Sequence, residues 1–288
     1  MTKLTIVTPV FNEEQTLANF EQRVRATLLE RTDYDVRVLL VDDGSRDRSW
    51  ELIEDICRRD SRFEGIRLSR NFGAHAALAA GLHHANGDVL AILACDLQDP
   101  PEVVLEFLEQ WRGGAQIVWG RRRTRADSTW RVWASQLFSA LTRRYAMPAG
   151  SQFTTGSFLL MDRRVLECYR QFSERKRVTF ALVAWTGFRQ AVVDYDRLAR
   201  VGGQSAWKLK DLFGAAYDTL LGFSKFPFGF MTVIGAGMSL LCIPACVYLF
   251  WCYFAGHPQP GWTSLMMVLV MCFGLQFMFM SVLGEYLS

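Results

Sequence analysis

The 288 residues suffice for one large domain or two small ones around a sizeable core. The seven cysteines, odd in number and without a repeated spacing, argue against a disulfide framework or a zinc site; Cys242, Cys246, Cys252 and Cys272 fall in apolar stretches, as free thiols do in a reducing compartment. The net charge of +3 conceals a steep asymmetry: residues 1–111 carry 12 Lys/Arg against 20 Asp/Glu, residues 112–225 carry 20 against 8, and residues 226–288 carry Glu285 alone. The basic third points to an anionic partner, the uncharged third to a membrane.

The first 125 residues alternate strand and helix. "LTIVTPVF" (4–11) reads as an apolar strand without the basic leader of a signal peptide, and Asn12 is placed to cap a helix beginning "EEQTLANFEQRV". "DVRVLLVDD" (35–43) is a second strand, with Ser45 capping "SRDRSWELIEDICRRD". "FEGIRLSRN" (63–71) is a third, followed by the Ala-rich helix "GAHAALAAGLHHA". "DVLAILACD" (88–96) is a fourth, with Pro100 and Pro101 starting the helix "PPEVVLEFLEQW". "AQIVWGRRR" (115–123) is a fifth. Near-continuous apolar strands separated by helices predict a parallel sheet covered on both faces, whose ligands bind beyond the carboxyl ends of the strands.

Those ends release Pro9 to Glu13, Asp42 to Ser45, Ser69 to Asn71, Asp96 to Asp99, and Arg121 to Arg123. One acidic turn alone would be a helix cap, but five polar strand ends on one rim describe a site for a polar, phosphorylated ligand. The sequence has no GxxxxGK[ST] loop and no GxGxxG after the first strand, so a diphosphate here requires a cation. Asp96, with the side-chain oxygen of Gln98, offers the hard oxygens that suit Mg²⁺ or Mn²⁺. His75, His83 and His84 share a helix at a spacing that reads as packing or solvated histidines. "RRRTR" (121–125) comes without any aromatic or module signature, so nucleic acid is not the expected partner.

Toward the C-terminus, "SAWKLKDLFGAAYDTLLGFSKFPFGF" places Trp207, Leu209, Leu212, Phe213, Ala216, Leu220 and Phe223 at helical spacing; it is an interfacial helix or an amphipathic core-packing one. Two apolar stretches, roughly 228–254 and 264–284, follow, each able to cross a hydrocarbon core of about 30 Å. Lys208, Lys210 and Lys225 precede the first, and the connecting "AGHPQPGWT" has no Lys or Arg, which places the large domain in the cytoplasm. Gly235 and Gly237 are candidates for close helix packing and for self-association.

The motifs "TIVTPVFNEE", "VDDGSRD", "LSRNFGAHAALAAGL", "CDLQDPPE", "LMDRRV" and "LGEY", in this order, resemble family 2 glycosyltransferases of GT-A fold. The similarity is greatest to the membrane-anchored polyprenyl-phosphate glycosyltransferases and covers essentially the whole chain. The resemblance implies an α/β fold: a mostly parallel, Rossmann-like sheet with helices on both faces. It implies a cytoplasmic catalytic domain over 1–203, juxtamembrane amphipathic helices over 204–227, and a two-helix transmembrane anchor over 228–288. It also implies a sugar moving from a nucleotide-sugar donor, typically UDP-linked, to undecaprenyl phosphate at the bacterial inner membrane, with inversion. Members of this type continue past "LGEY" into a basic tail that is not part of this sequence.

By the same resemblance, Pro9, Asn12 and Glu13 line the nucleotide pocket, Asp42 or Asp43 meets base or ribose, and Arg121 or Arg122 meets donor phosphate. Asp96 and Gln98 hold the metal and, with Arg122, carry catalysis. Arg70, Asn71, Arg123, Arg131, Ser157, Arg200 and Lys208 are assigned to the acceptor.

Three positions depart from the family pattern: Ala94 replaces the first of two paired acids, Ser157 replaces an Asp often regarded as the base, and Ala206 replaces a Lys. They leave open a non-catalytic, nucleotide- or lipid-binding member of the family. A processive polysaccharide synthase is disfavoured, because no QxxRW motif is present. The chemistry tolerates the changes. Mg²⁺ takes one or two carboxylates plus substrate phosphates. A phosphate monoester, with a second pKa near 6, is already ionised and has no proton that a base must remove.

Overall fold

A computed structural model of the protein describes residues 1–30, 33–123, 158–173, 178–198, 240–248 and 261–287, with 233, 237, 250, 251, 254 and 256. The chain divides into two compact units, Met1–Ala216 and Tyr217–Ser288.

In the first unit, β1 (Lys3–Val10) pairs in parallel with β2 (Asp35–Asp42) on one side and β4 (Val89–Ile92) on the other. β2 pairs in parallel with β3 (Phe63–Arg67). Leu4 to Thr8 are all buried, because helices cover both faces of the sheet and a central strand has no solvent side. The full order is β3-β2-β1-β4-β6-β5-β7. β6 (Leu159–Asp162) runs antiparallel between β4 and β5 (Ile117–Arg122), and β5 pairs in parallel with β7 (Gln190–Tyr195). The sheet is therefore mixed, as a GT-A-like sheet is. One reversed strand between two others leaves β4 and β5 pointing the same way, so the five predicted strands do end on one rim.

The helices follow their apolar spacing. α1 (Leu17–Val24) buries Leu17, Phe20 and Val24, and α2 (Ser49–Arg59) buries Ser49, Ile53 and Ile56. α3 (Ala74–His84) is Ala-rich for a steric reason: a Cβ on Gly81 would stand 2.5 Å from Val7 Cγ1 and 3.0 Å from Val41 Cγ2, so only a slim helix lies this close to the sheet. α4 (Val103–Arg112) packs Val103, Val104, Phe107 and Leu108 inward. α5 (Arg163–Arg170) is capped by Asp162, which accepts the Arg164 N–H at 2.9 Å and the Trp111 indole N–H at 2.8 Å. The Asp of "LMDRRV" is thus a helix cap. α6 (Thr179–Trp185) sets Phe180 edge-on to His75, a packing histidine as expected, whose burial pushes its pKa down.

Two helix starts differ from the sequence expectation. α1 begins at Leu17, not after Asn12, and α2 begins at Ser49, not after Ser45. Asn12 and Ser45 are used between loops instead of along their own helices. The Pro100–Pro101 pair sits in the turn whose carbonyls receive Val103 N–H and Val104 N–H, so it precedes α4.

In the second unit, residues 240–248 are helical and α7 spans Trp262–Leu287. The two helices meet where a Cβ on Gly274 would stand 3.0 Å from Cys242 Sγ, and the Cys242 thiol donates to the Val270 carbonyl at 3.5 Å. Close approach falls to Gly274; Gly237 has nothing within 4 Å of its Cβ position among the described residues, and Gly235 lies outside them. Leu240, Leu241, Ile243, Val247, Leu265, Val268, Met271 and Phe279 face outward. Within the described residues no helix is long and apolar enough to cross a membrane; the side chains of Thr263, Ser281 and 284–287 of α7 lie outside that description. The predicted helix over 204–227 also falls outside it.

Candidate active site

The rim is built by three loops that bond to one another. After β1, Asn12 turns left-handed at φ 54°; its N–H donates to Ser45 Oγ at 2.9 Å and its Oδ1 accepts Arg46 N–H at 2.9 Å. Asn tolerates that backbone region better than most residues. Glu13 N–H donates to Ser49 Oγ at 2.8 Å, and Glu14 both donates to Asp47 and accepts from Arg48 N–H. Pro9 stands one residue before the rim, in register with Val41. The loop after β2 is therefore a template for the loop after β1.

It also holds the loop after β3. Both oxygens of Asp43 accept backbone N–H groups, Phe72 and Gly73 each at 2.8 Å. Burial raises the Asp43 pKa, those two bonds lower it, and the neighbouring Asp42 raises it again. Gly44, at φ 67°, leaves no room for a side chain: its Cβ would stand 2.7 Å from Arg70 Cα and 2.8 Å from Asn71 N. Arg70 lies over the Phe72 ring at 4.3 Å, and Asn71 is exposed beside it.

The choice left open between Asp42 and Asp43 is narrowed by these bonds. Asp43 is occupied as a loop clamp. Asp42 is fully buried at the end of β2, in register with Val10 and Arg67. Its Oδ1 accepts the Ser45 N–H at 3.1 Å, whereas its Oδ2 has no hydrogen-bond partner among the described residues and only the Arg67 guanidinium within ion-pair range, at 3.4 Å. A buried carboxylate oxygen without a donor is costly, and the Arg67 guanidinium offsets part of that cost by charge.

The other half of the rim is organised differently. Leu97, at φ 54°, turns the chain after β4, and Asp96 Oδ1 accepts the Gln98 N–H at 3.2 Å. Asp96 and Gln98 are half-buried on this turn. No three His, Cys, Asp or Glu side chains gather into a cage among the described residues. The donors fit Mg²⁺ or Mn²⁺ held by one carboxylate, one amide oxygen and ligand phosphates. Ala94 lies two residues before Asp96, so the turn has no second acid there.

The sequence puts Asp99 on the rim but gives it no role. It is buried, and its Oδ1 accepts the Tyr195 hydroxyl at 2.5 Å, with Arg122 Nη2 and Arg197 Nε each 3.9 Å away. Burial, then the Asp99 charge, pushes the Tyr195 pKa up, so the hydroxyl stays a donor. Arg122 Nε also donates to that hydroxyl oxygen at 3.4 Å. Arg121 points elsewhere, paired with Asp194 at 2.5 and 2.8 Å, and Arg123 stands 3.8 Å from Asp196. The one sequence signal for Asp99 was its place at the end of an apolar strand, which does not announce a partner 96 residues away. Arg131, Ser157, Arg200 and Lys208 lie outside the described residues.

The glycosyl transferase family 2 model matches residues 5–170. An uncharacterized glycosyltransferase of Synechocystis sp. is 34% identical over 99% of this chain and 90% of its own length. The bactoprenol glucosyl transferase of Shigella phage SfV is 32% identical over 99% of this chain and 93% of its own. The fold is shared with a mannosyltransferase from Pyrobaculum calidifontis solved with GDP-Man and Mn²⁺, at TM-score 0.51 and 14% identity, covering 98% of this chain and 74% of that one. It is shared equally with glucosyl-3-phosphoglycerate synthase from Mycobacterium tuberculosis, at TM-score 0.50 and 18% identity, covering 76% and 77%. A family model matching more than half of the chain, and relatives aligned almost end to end, lead to one conclusion: the protein belongs to glycosyl transferase family 2.

Proposed function

We propose that this glycosyltransferase moves a hexose from a nucleoside-diphosphate sugar, UDP-hexose first among them, to undecaprenyl phosphate at the cytoplasmic face of a bacterial inner membrane, supplying a cell-envelope glycan. The observation that carries the reading is similarity to bactoprenol glucosyl transferases over 99% of the chain, which includes the apolar C-terminal part as well as the rim. On this reading residues 228–288 form two spans, 204–227 lie at the interface, and 1–203 are the catalytic domain. Leu240, Ile243, Leu265 and Met271, exposed on the two helices, suit contact with lipid.

A divalent cation, when bound, would neutralise the donor diphosphate and stabilise it as a leaving group. Asp96 and Gln98 would hold it, and Asp42 would receive a donor group of the base or ribose. Arg122 would face the diphosphate, bonded through Nε to Tyr195 and with Nη2 3.9 Å from Asp99. The acceptor phosphate oxygen attacks the anomeric carbon, the bond to the diphosphate oxygen breaks, and its electron pair leaves with the nucleoside diphosphate, so the anomeric centre inverts. An acceptor already ionised near pH 7 has no proton to surrender, which makes Ser157 in place of an acid compatible with turnover.

The test is incubation of membranes containing the protein with radiolabelled nucleotide sugars, undecaprenyl phosphate and Mn²⁺. Labelled lipid is expected with at least one donor and is expected to vanish with Asp96→Asn. If no donor gives labelled lipid that also vanishes with Asp96→Asn, the catalytic reading fails.

A further inference from the structure

We propose that Asp99 is a positioning residue of the donor site, a buried carboxylate that sets Arg122 and Arg197 together as a diphosphate-facing pair beside the Asp96–Gln98 turn. The proposal rests on the donor reading above and adds two residues to it, Asp99 and Arg197.

Three separate elements converge on this one side chain. Asp99 follows β4, Arg122 ends β5, and Tyr195 ends β7, with Arg197 two residues beyond it. The backbone fastens the same junction, because Leu198 N–H donates to the Gln98 carbonyl at 2.9 Å. Tyr195 reaches Asp99 by passing over Gly120 of β5, where a Cβ would stand 2.8 Å from Tyr195 Cε1, and its ring meets Phe158 edge-on at 5.4 Å. The packing therefore fixes the hydroxyl that occupies Asp99 Oδ1.

The arginine distances give the arrangement its use. At 3.9 Å each guanidinium is attracted by the carboxylate but lies beyond hydrogen-bond length, so Asp99 draws both toward one place and leaves Arg122 Nη2 and Arg197 Nε to another acceptor, while Arg122 Nε is spent on Tyr195. One buried negative charge faces two positive ones, whose side chains are 25% and 34% exposed and so reach the rim. Paired guanidiniums of this kind suit an oxygen-rich dianion.

The experiment uses the full-length chain in detergent with Mn²⁺, titrated calorimetrically with UDP and GDP, each against its own nucleoside. Asp99→Asn keeps an oxygen for the Tyr195 hydroxyl but removes the charge. It is expected to weaken the nucleoside diphosphate about ten-fold, the scale of one charge-assisted contact, with nucleoside affinity within about two-fold. Arg197→Gln, at the surface, is expected to weaken the diphosphate about five-fold with the same selectivity. Equal losses for diphosphate and nucleoside with Asp99→Asn, or an unchanged diphosphate affinity with Arg197→Gln, overturn the proposal. Should Asp99→Asn fail to fold, Arg197→Gln decides. If the unaltered chain binds neither UDP nor GDP, the donor reading itself fails, a result distinct from the loss of selectivity.

Discussion

The two halves of the rim are held by different forces. The loops after β1, β2 and β3 are laced by side chains that accept backbone N–H groups: Ser45, Ser49, Asp43 and Asn12. The turn after β4 meets β5 and β7 chiefly at one buried side chain, Asp99, which the Tyr195 hydroxyl and two guanidiniums approach, beside a single backbone bond from Leu198 N–H to the Gln98 carbonyl. A backbone-laced half is a rigid receptacle in which a changed residue disturbs the fold. The other half depends on one buried carboxylate, so a charge-removing change there reads ligand binding only when it keeps an oxygen for the Tyr195 hydroxyl. Acids that look alike on the rim do different work: both oxygens of Asp43 clamp the loop after β3, whereas Asp42 Oδ2 has no hydrogen-bond partner among the described residues.

The contrast can be broken most decisively at Gly44. Gly44→Val places a side chain against Arg70 and Asn71 at positive φ, and a loss of about 3 kcal/mol is expected from overpacking and backbone strain. Denaturant unfolding followed by tryptophan fluorescence measures it; a loss under 1 kcal/mol would show that the loops are not tightly laced. Asp43→Asn comes next, since an amide can accept only one of the two N–H groups at Phe72 and Gly73. About 1–2 kcal/mol should be lost, together with weaker nucleotide binding as the loop after β3 loosens.

A smaller effect is expected at Asp60, far from the rim, where Arg62 chiefly, and Arg25 also, hold the carboxyl well below its usual range. A depressed folded pKa stabilises above the unfolded value of about 3.9 and is lost as pH falls below it. Asp60→Asn should therefore cost about 1 kcal/mol at pH 7, and the gap to the unaltered chain should close as the pH falls toward 2. Thermal melts across that range read the closure; a gap that persists in acid would point to packing instead of charge. The smallest effect belongs to Arg121→Ala. Its partner is the exposed Asp194, so stability should shift by less than about 0.5 kcal/mol and transfer by less than about three-fold. A hundred-fold loss of transfer would move the phosphate contact from Arg122 to Arg121 and sharpen the division of the rim.

The sequence made five strands, their shared rim and the identity of most rim residues legible, because apolar runs, turns and polar strand ends are local patterns; the order of the strands in the sheet is not such a pattern. Its helix starts at Asn12 and Ser45 were misplaced for a related reason. Both residues are good caps in isolation, but each found its partner across the rim, 33 or 34 residues away. The antiparallel entry of β6 beside β4 carries no local signal, since "FLLMD" reads as a strand in either direction. The Cys242–Gly274 contact was likewise hidden: many small residues occur in the C-terminal stretches, and only the geometry of the pair selects one.

The order of apolar and polar segments determined by itself that this chain builds an α/β sheet with acids and arginines at one edge. Only the tertiary structure decided which acid clamps, which remains unsatisfied and which aligns two arginines. Those roles depend on hydrogen-bond partners brought together by strand pairing, and a carboxylate is chemically the same in all three until its neighbours are in place.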